Sequence, residues 1–441
     1  MADECRDRRT EGHRLIYDGG SAVRTLFDPW KALLAGTLLL VLLAQPICRA
    51  ESAGDERAAL RERLIADLSD FEFPLEDGYL SEYTEDPERE EEAVQVFKVA
   101  KVKTGVLIVG KNGAPLVRAC YGVRGRSKEP VTLKTQFRVA SVTKLVTAIG
   151  LMRLWEVGLF DLDAPLSDYL PMKVVNPAFP DSPVTARQLL SHTSSIKQGM
   201  RYHPDWENLQ LNNNYFDKSV EPGGRYQYAN LNGGLAGAMI EALSGLSVNS
   251  CMKAILFDPL GIDAAYNPGL LGDTSDMADI MYEDGGILST AKRELETLKD
   301  YDDTCDPREH TDRTIGKLYI NADGLHRLAS LMVNGGIIGE RRLLYEDTER
   351  LMRADQSKIE GSSVRVPGDY GLFVAHVSPT GKYTWYGHQG RFNGITADIF
   401  WQPQTGMTFV MIVNGYDGAL STDGLAPIAR RMMTLGENWI E

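Results

Sequence analysis

Strand-forming sequence sits near both ends of this chain and helix-forming sequence lies between, and that arrangement restricts the fold more than any other feature. Gly105-Val106-Leu107-Ile108-Val109 and Leu116-Val117-Arg118-Ala119-Cys120-Tyr121 flank Asn112-Gly113, a pair that favours a tight type I′ hairpin turn. The strand signal returns after Thr384, in Gly394-Ile395-Thr396-Ala397-Asp398-Ile399-Phe400-Trp401 and Met407-Thr408-Phe409-Val410-Met411-Ile412-Val413. A last helix over Ala426 to Leu435 is expected to pack on that sheet. Helical patterns dominate from Leu145 to about Leu260, broken at Pro165, Pro171 and Pro222-Gly223-Gly224. The expected fold is α+β, an antiparallel sheet built from both termini and flanked by helices, with a mainly helical subdomain inserted over about 155–330.

With 441 residues, 43% hydrophobic and 24% charged, the chain is long and apolar enough to bury a full core. Its formal charge of −14 excludes a broad nucleic-acid surface or a basic membrane patch. The acidity concentrates in Glu85 to Glu92, which reads as a solvated helix start or linker, so residues 51–98 form an acidic N-terminal segment before a domain spanning 99–441. Ala32 to Ala44 is a nearly uninterrupted apolar run, preceded by Arg24 and Lys31. It suits a signal peptide, which needs about 7–15 apolar residues, and is short for the roughly 20 of a membrane-spanning helix. Residues 1–50 are therefore expected to be a signal peptide or a signal anchor, giving an exported protein, periplasmic or extracellular. Downstream only Cys120, Cys251 and Cys305 remain, with no Cys-x-x-Cys, so no disulfide framework is implied.

Ser-x-x-Lys occurs four times, from Ser141, Ser194, Ser250 and Ser289. A serine and a lysine one helical turn apart share a face and can form a nucleophile with its own base. The lysine is useful only if its pKa falls from about 10.4 toward neutrality, a destabilisation of the cation by about 4 kcal/mol that demands burial or a cationic neighbour. Ser141 follows Phe137-Arg138-Val139-Ala140 and opens Val142 to Trp155, a helix apolar on most sides, so Lys144 is expected in its buried first turn. Ser289 also follows a strand-like end and could cap a helix, but Lys292-Arg293-Glu294-Leu295-Glu296 marks a solvated surface where Lys292 stays protonated. Ser194 and Ser250 read as helix caps or exposed hydroxyls.

A serine–lysine pair needs a second proton carrier and an oxyanion site. Tyr228-Ala229-Asn230, after Pro222-Gly223-Gly224, and Gly387-His388-Gln389-Gly390 supply candidates. A tyrosine beside a lysine cation can deprotonate at lower pH and relay the serine proton, and an asparagine amide can bind both a substrate carbonyl and the lysine. Tyr319-Ile320-Asn321 repeats Tyr-x-Asn but reads as a turn into a helix over Leu325 to Val333, and His192, in Ser-His-Thr-Ser, reads as a structural brace. Gly105 to Lys111 fits Gly-x-x-x-x-Gly-Lys, but Asn112 stands where a phosphate loop needs Ser or Thr. Asp300 to Asp312 is charged and reads as a surface insertion.

In this order and spacing, Ser141-Val142-Thr143-Lys144, Tyr228-Ala229-Asn230 and His388-Gln389-Gly390 resemble the three motifs of the serine β-lactamase-like and penicillin-binding-protein family. That family includes class C β-lactamases, D-alanyl-D-alanine carboxypeptidases and related esterases. Leu189 to Ser194, Gly233 to Gly237, Tyr370-Gly371-Leu372 and Asn414-Gly415 extend the resemblance over roughly 99–441. It implies a β-lactamase/transpeptidase-like fold and a serine hydrolase that works through an acyl-serine. By resemblance Ser141 attacks, Lys144 and Tyr228 move protons, and Asn230 orients the substrate. The N–H groups of Ser141 and of Arg391, just after Gly390, form the oxyanion hole, and His388 lines the strand edge where a substrate carboxylate docks. Substrates are then small molecules or peptides, cell-wall stem peptides among them. One departure is that class C enzymes carry lysine-threonine-glycine at the third motif, where this chain has His388, only partly charged near pH 7. That moves the expectation from β-lactams toward peptides and esters. A carboxylesterase, and a non-catalytic penicillin- or peptidoglycan-binding protein, are the alternatives.

No Gly-x-Ser-x-Gly elbow is present, and the seven histidines hold neither His-x-His nor His-Glu-x-x-His, so neither an α/β-hydrolase triad nor a zinc hydrolase is indicated. No metal or organic cofactor is expected.

Overall fold

Asn112 and Gly113 both take positive φ, 53° and 86°, the backbone a type I′ turn requires, and they join β1 (Thr104–Lys111) to β2 (Ala114–Gly122). The computed structural model describes residues 51–69, 85–199, 215–298, 303–356, 369–416, 418 and 424–440. The expected export signal, residues 1–50, lies outside the described residues, as does 70–84 of the acidic segment. Among the described residues no single helix is long and apolar enough to cross a membrane.

The chain leaves the sheet after β2. It forms two short strands, β3 (Phe137–Arg138) and β4 (Ala264–Ala265), on either side of β5 (Tyr319–Ile320) in a separate small sheet. It returns in β6 (Ala375–Val377), β7 (Trp385–Phe392), β8 (Ile395–Gln402) and β9 (Met407–Asn414). The main antiparallel sheet has the order β6-β7-β8-β9-β1-β2, so β9 from the C-terminal end pairs with β1 from the N-terminal end, Thr104 opposite Asn414 and Lys111 opposite Met407. The sheet is thus closed from both termini, as the distribution of strand sequence implies.

Because side chains alternate across a sheet, each face gathers its own core. On one face α1 (Pro87–Val99) and α2 (Pro427–Asn438) lay Phe97, Ile428 and Met432 over Leu107, Phe409, Met411 and Trp385. On the other, Val106, Ile108, Ile399, Val410 and Ile412 meet α3 (Val142–Glu156) and α5 (Ala322–Val333), and α4 (Asn230–Ser244) packs against α3. Helix α3 is buried at every position from Val142 to Leu154, which explains why its sequence is apolar nearly all round. The acidic stretch does begin a helix: Asp86 accepts from Arg89 N and Pro87 opens α1, which carries Ala93, Val96 and Phe97 into the core. Residues 87–98 therefore pack as part of the same body as the sheet.

The charged stretch Asp300 to Asp312, expected as a surface insertion, is exposed or half-buried over 303–309 and turns inward only near its end. Within residues 303–318, His310, Thr311, Arg313 and Thr314 are buried. Two features pull the segment in. Buried Glu241, on α4, accepts from Val248 N at 2.8 Å and pairs with His310 Nδ1 at 2.8 Å, so the charged groups have partners inside. Helix α4 also turns glycines to it, and a Cβ on Gly234 would lie 2.7 Å from the Thr311 carbonyl oxygen.

Candidate active site

Ser141 stands at the junction of β3 and α3. Ala140, immediately before it, has φ of 46°, a strained value for a residue with a side chain, and turns the chain sharply into the helix. Ser141 occupies the N-cap position, yet its side chain makes no capping bond, which leaves Oγ free for other partners. Thr143 braces the turn, donating to the Ala140 carbonyl at 2.6 Å while accepting from Leu318 N at 3.2 Å.

Lys144 lies one turn on and has no exposed surface. Its Nζ is 3.1 Å from Ser141 Oγ, 2.9 Å from Asn230 Oδ1 and 2.5 Å from the Ile315 carbonyl oxygen. Burial lowers its pKa to about 7. Asn230 Oδ1 and the Ile315 carbonyl can only accept, so the two hydrogens of a neutral amine go to them and its lone pair faces Ser141 Oγ. The Ile315 carbonyl comes from the stretch just after the charged segment that ends at Asp312. A main-chain acceptor has no residue signature; the hint in the sequence is the glycine run of α4, which asks for a close backbone neighbour.

Tyr228 donates its hydroxyl to Ser141 Oγ at 2.8 Å. Burial pushes the phenol up to about 12, so it remains protonated at neutral pH; the expectation that Lys144 would ease its ionisation is corrected. The lysine lies over the ring face, 5.2 Å from the centroid. The loop before α4 is locked to the 192–198 turn, with Ala229 N 3.3 Å from His192 Nδ1 and Asn230 N donating to Gln198 Oε1 at 2.8 Å. His192 is fully buried, with a pKa lowered well below its ordinary value by burial and then by Lys144, and its ring packs 4.3 Å from that of Tyr228. It braces Tyr228 rather than taking part in chemistry.

The third motif lies on β7, which crosses the start of α3. Gly390 is there because nothing larger fits: a Cβ would lie 2.3 Å from the Val139 carbonyl oxygen and 2.9 Å from Ser141 N. Arg391 is the next residue along β7 and pairs with Thr396 on β8. β6 pairs with β7 only as far as Gly387, so the β7 edge beyond carries no strand partner among the described residues. His388 is 96% buried by its 4% exposure, and its Nδ1 lies 2.6 Å from the Gln389 carbonyl oxygen. Burial, then the nearby lysine, lowers its pKa to about 3. The expected partial charge near pH 7 is therefore corrected to none.

The other Ser-x-x-Lys pairs fall apart. Lys292 is 83% exposed and pairs with Glu296; Thr290, not Ser289, accepts from Arg293 N at the start of that helix. Lys253 pairs with Asp258 at the surface. Ser194 and Ser250 are neither caps nor free hydroxyls: they donate to Asn232 Oδ1 and Asp303 Oδ2. Asn321 of the second Tyr-x-Asn caps α5 through Gly324 N, as its turn-like context implies. Among the described residues no group of three or more histidine, cysteine or acidic side chains is placed to hold a metal ion.

A family model described as Beta-lactamase matches residues 92–430. Esterase EstB of Burkholderia gladioli is 29% identical over 188 residues, covering 38% of this chain and 48% of that protein. The D-alanyl-D-alanine-carboxypeptidase/endopeptidase AmpH of Escherichia coli (strain K12) is 29% identical over 177 residues, covering 37% of this chain and 46% of that protein. The chain thus spans less than half the length of these relatives. The octameric penicillin-binding protein homologue from Pyrococcus abyssi shares the fold, with a TM-score of 0.60 at 21% identity over 80% of this chain and 77% of that one.

Proposed function

The chain belongs to the beta-lactamase family, and on the geometry around Ser141 we propose that it is a serine hydrolase that cleaves esters or amides through an acyl-serine intermediate. The observation that carries this reading is Lys144, buried, with a pKa near 7, and held by two obligate acceptors so that its free electron pair meets Ser141 Oγ. About half of such lysines are neutral at pH 7.

In this reading Ser141 Oγ attacks the substrate carbonyl as its proton passes to Lys144 Nζ. The oxygen that gains charge accepts from the Ser141 and Arg391 N–H groups, whose fixed dipoles lower the barrier by about 3 kcal/mol each. When the bond to the leaving group breaks, Tyr228 gives that group its hydroxyl proton and is reprotonated from the Lys144 ammonium. Water then adds to the acyl-serine by the reverse relay, releasing the acid and restoring Ser141. Asn230 holds both the lysine and the substrate carbonyl, and no step calls for a metal or cofactor.

Relatives named as an esterase and as a D-alanyl-D-alanine-carboxypeptidase support an ester or peptide substrate, cell-wall stem peptides included. A non-catalytic penicillin-binding role is disfavoured, because a binding protein gains nothing from a lysine held in a buried, weakly basic state. The same reading takes residues 1–50 as an export signal or anchor, placing the domain outside the cytoplasm. The test is turnover of p-nitrophenyl acetate, nitrocefin and a D-Ala-D-Ala peptide by the wild type and Ser141→Ala. Turnover of at least one substrate that disappears in the variant is expected; equal rates in both proteins would overturn the assignment.

A further inference from the structure

The resemblance at the third motif implies a subsite for a carboxylate, but the polar atoms at that place have the wrong character for one. A carbonyl oxygen has no hydrogen to give, so the 2.6 Å contact between His388 Nδ1 and the Gln389 carbonyl puts the ring proton on Nδ1. In the neutral ring Nε2 is then a bare lone pair, which accepts and cannot donate. It is buried and has no hydrogen-bond partner. Tyr370 packs edge-on against this ring at 6.4 Å between centroids; it is 6% exposed, and its hydroxyl is likewise buried without a partner. Unpaired polar atoms are costly inside a protein, and here two belong to rings that pack edge-on against each other. His388 shares a strand face with Gly390, which packs against Ser141 N, and is about 7 Å from it along β7.

We propose that His388 and Tyr370 form a subsite for an uncharged carboxamide-like group of the substrate, with His388 Nε2 accepting from its N–H and the Tyr370 hydroxyl donating to its carbonyl. This rests on the acyl-serine reading and refines it by naming the substrate class: esters or amides whose leaving portion carries an amide next to the scissile bond, in preference to those ending in a carboxylate. A carboxylate offers no donor to His388 and turns its lone pairs toward another lone pair. The cation that would answer its charge is Lys144, whose neutral form the chemistry needs.

The test uses three esters with one acyl group and one scissile linkage, whose leaving alcohols are lactamide, methyl lactate and lactate. They present an amide N–H, a carbonyl alone, and a carboxylate. The expected order of kcat/KM is lactamide, methyl lactate, lactate, with about fivefold between the first two, the worth of one neutral hydrogen bond. His388→Phe should bring the lactamide-to-methyl-lactate ratio to about one. Tyr370→Phe should lower both uncharged esters and leave their ratio alone. His388→Lys should move the lactate ester to the front. A wild type that prefers lactate, or a ratio unmoved by His388→Phe, overturns the proposal. If Ser141→Ala hydrolyses all three esters at the wild-type rate, the acyl-serine reading fails instead; if Ser141 is required while the order is reversed, only the subsite does.

Discussion

Ser141-Val142-Thr143-Lys144 and Ser289-Thr290-Ala291-Lys292 have the same spacing, and each spans the end of a strand and the start of a helix, yet only the first makes a chemical pair. Lys292 is 83% exposed and answers Glu296 across solvent, so its charge is fully hydrated. Lys144 has no exposed surface, and its neighbours are a serine hydroxyl, an amide oxygen and a carbonyl. None of these carries the negative charge that would hold the proton on. The spacing supplies geometry; the loss of solvent turns a cation into a base.

Substitutions that exchange or erode this difference break the comparison. Lys144→Met keeps the apolar stem and removes the base, so acylation by p-nitrophenyl acetate should fall about 10⁴-fold while the circular dichroism spectrum is retained. A smaller loss would mean that another group takes the serine proton. Tyr228→Phe removes the hydroxyl that donates to Ser141 and serves the leaving group; a drop of about 10³-fold in kcat is expected, largest for substrates with poor leaving groups. Steady-state kinetics on a p-nitrophenyl and an alkyl ester measure that dependence, and equal losses on both would remove Tyr228 from the leaving-group step. Gly390→Ala pushes β7 away from Ser141 N, and a shift of about 1 Å should cost about 10²-fold in kcat with the lysine untouched. An unchanged kcat there would refute the proposed oxyanion role of this strand. At the other end of the scale, Lys292→Ala should change kcat/KM by less than about twofold, as for a weak exposed ion pair; a large effect would show that exposure was the wrong criterion.

How far the sequence reveals this depends on whether a feature has a local signature. The Asn112-Gly113 turn, the apolar wrap of α3 and the Tyr228-Ala229-Asn230 spacing have one, and each is found where the sequence puts it. The segment around residue 315 has none. Its burial depends on Glu241, 69 residues from His310, and on glycines of α4 whose purpose appears only once the backbones meet. His388 shows the same limit in its charge. Histidine in a sequence carries its solution pKa, and the burial and carbonyl contact that make it neutral are products of the sheet. Tyr370 was legible as part of a family stretch, but its unpaired hydroxyl was not.

The central claim is that Lys144 is the neutral base of Ser141, and the rate of covalent labelling by a fluorophosphonate, followed from pH 5 to 10 with the adduct mapped by mass spectrometry, tests it most directly. A base with its pKa lowered to about 7 is protonated and inactive at acid pH, so labelling should rise with pH, reach half its maximum near pH 7, and level off above it, with the adduct on Ser141. An adduct on Ser289 or another serine, or a rate still climbing tenfold per pH unit through pH 9 as for an ordinary lysine, would contradict the account.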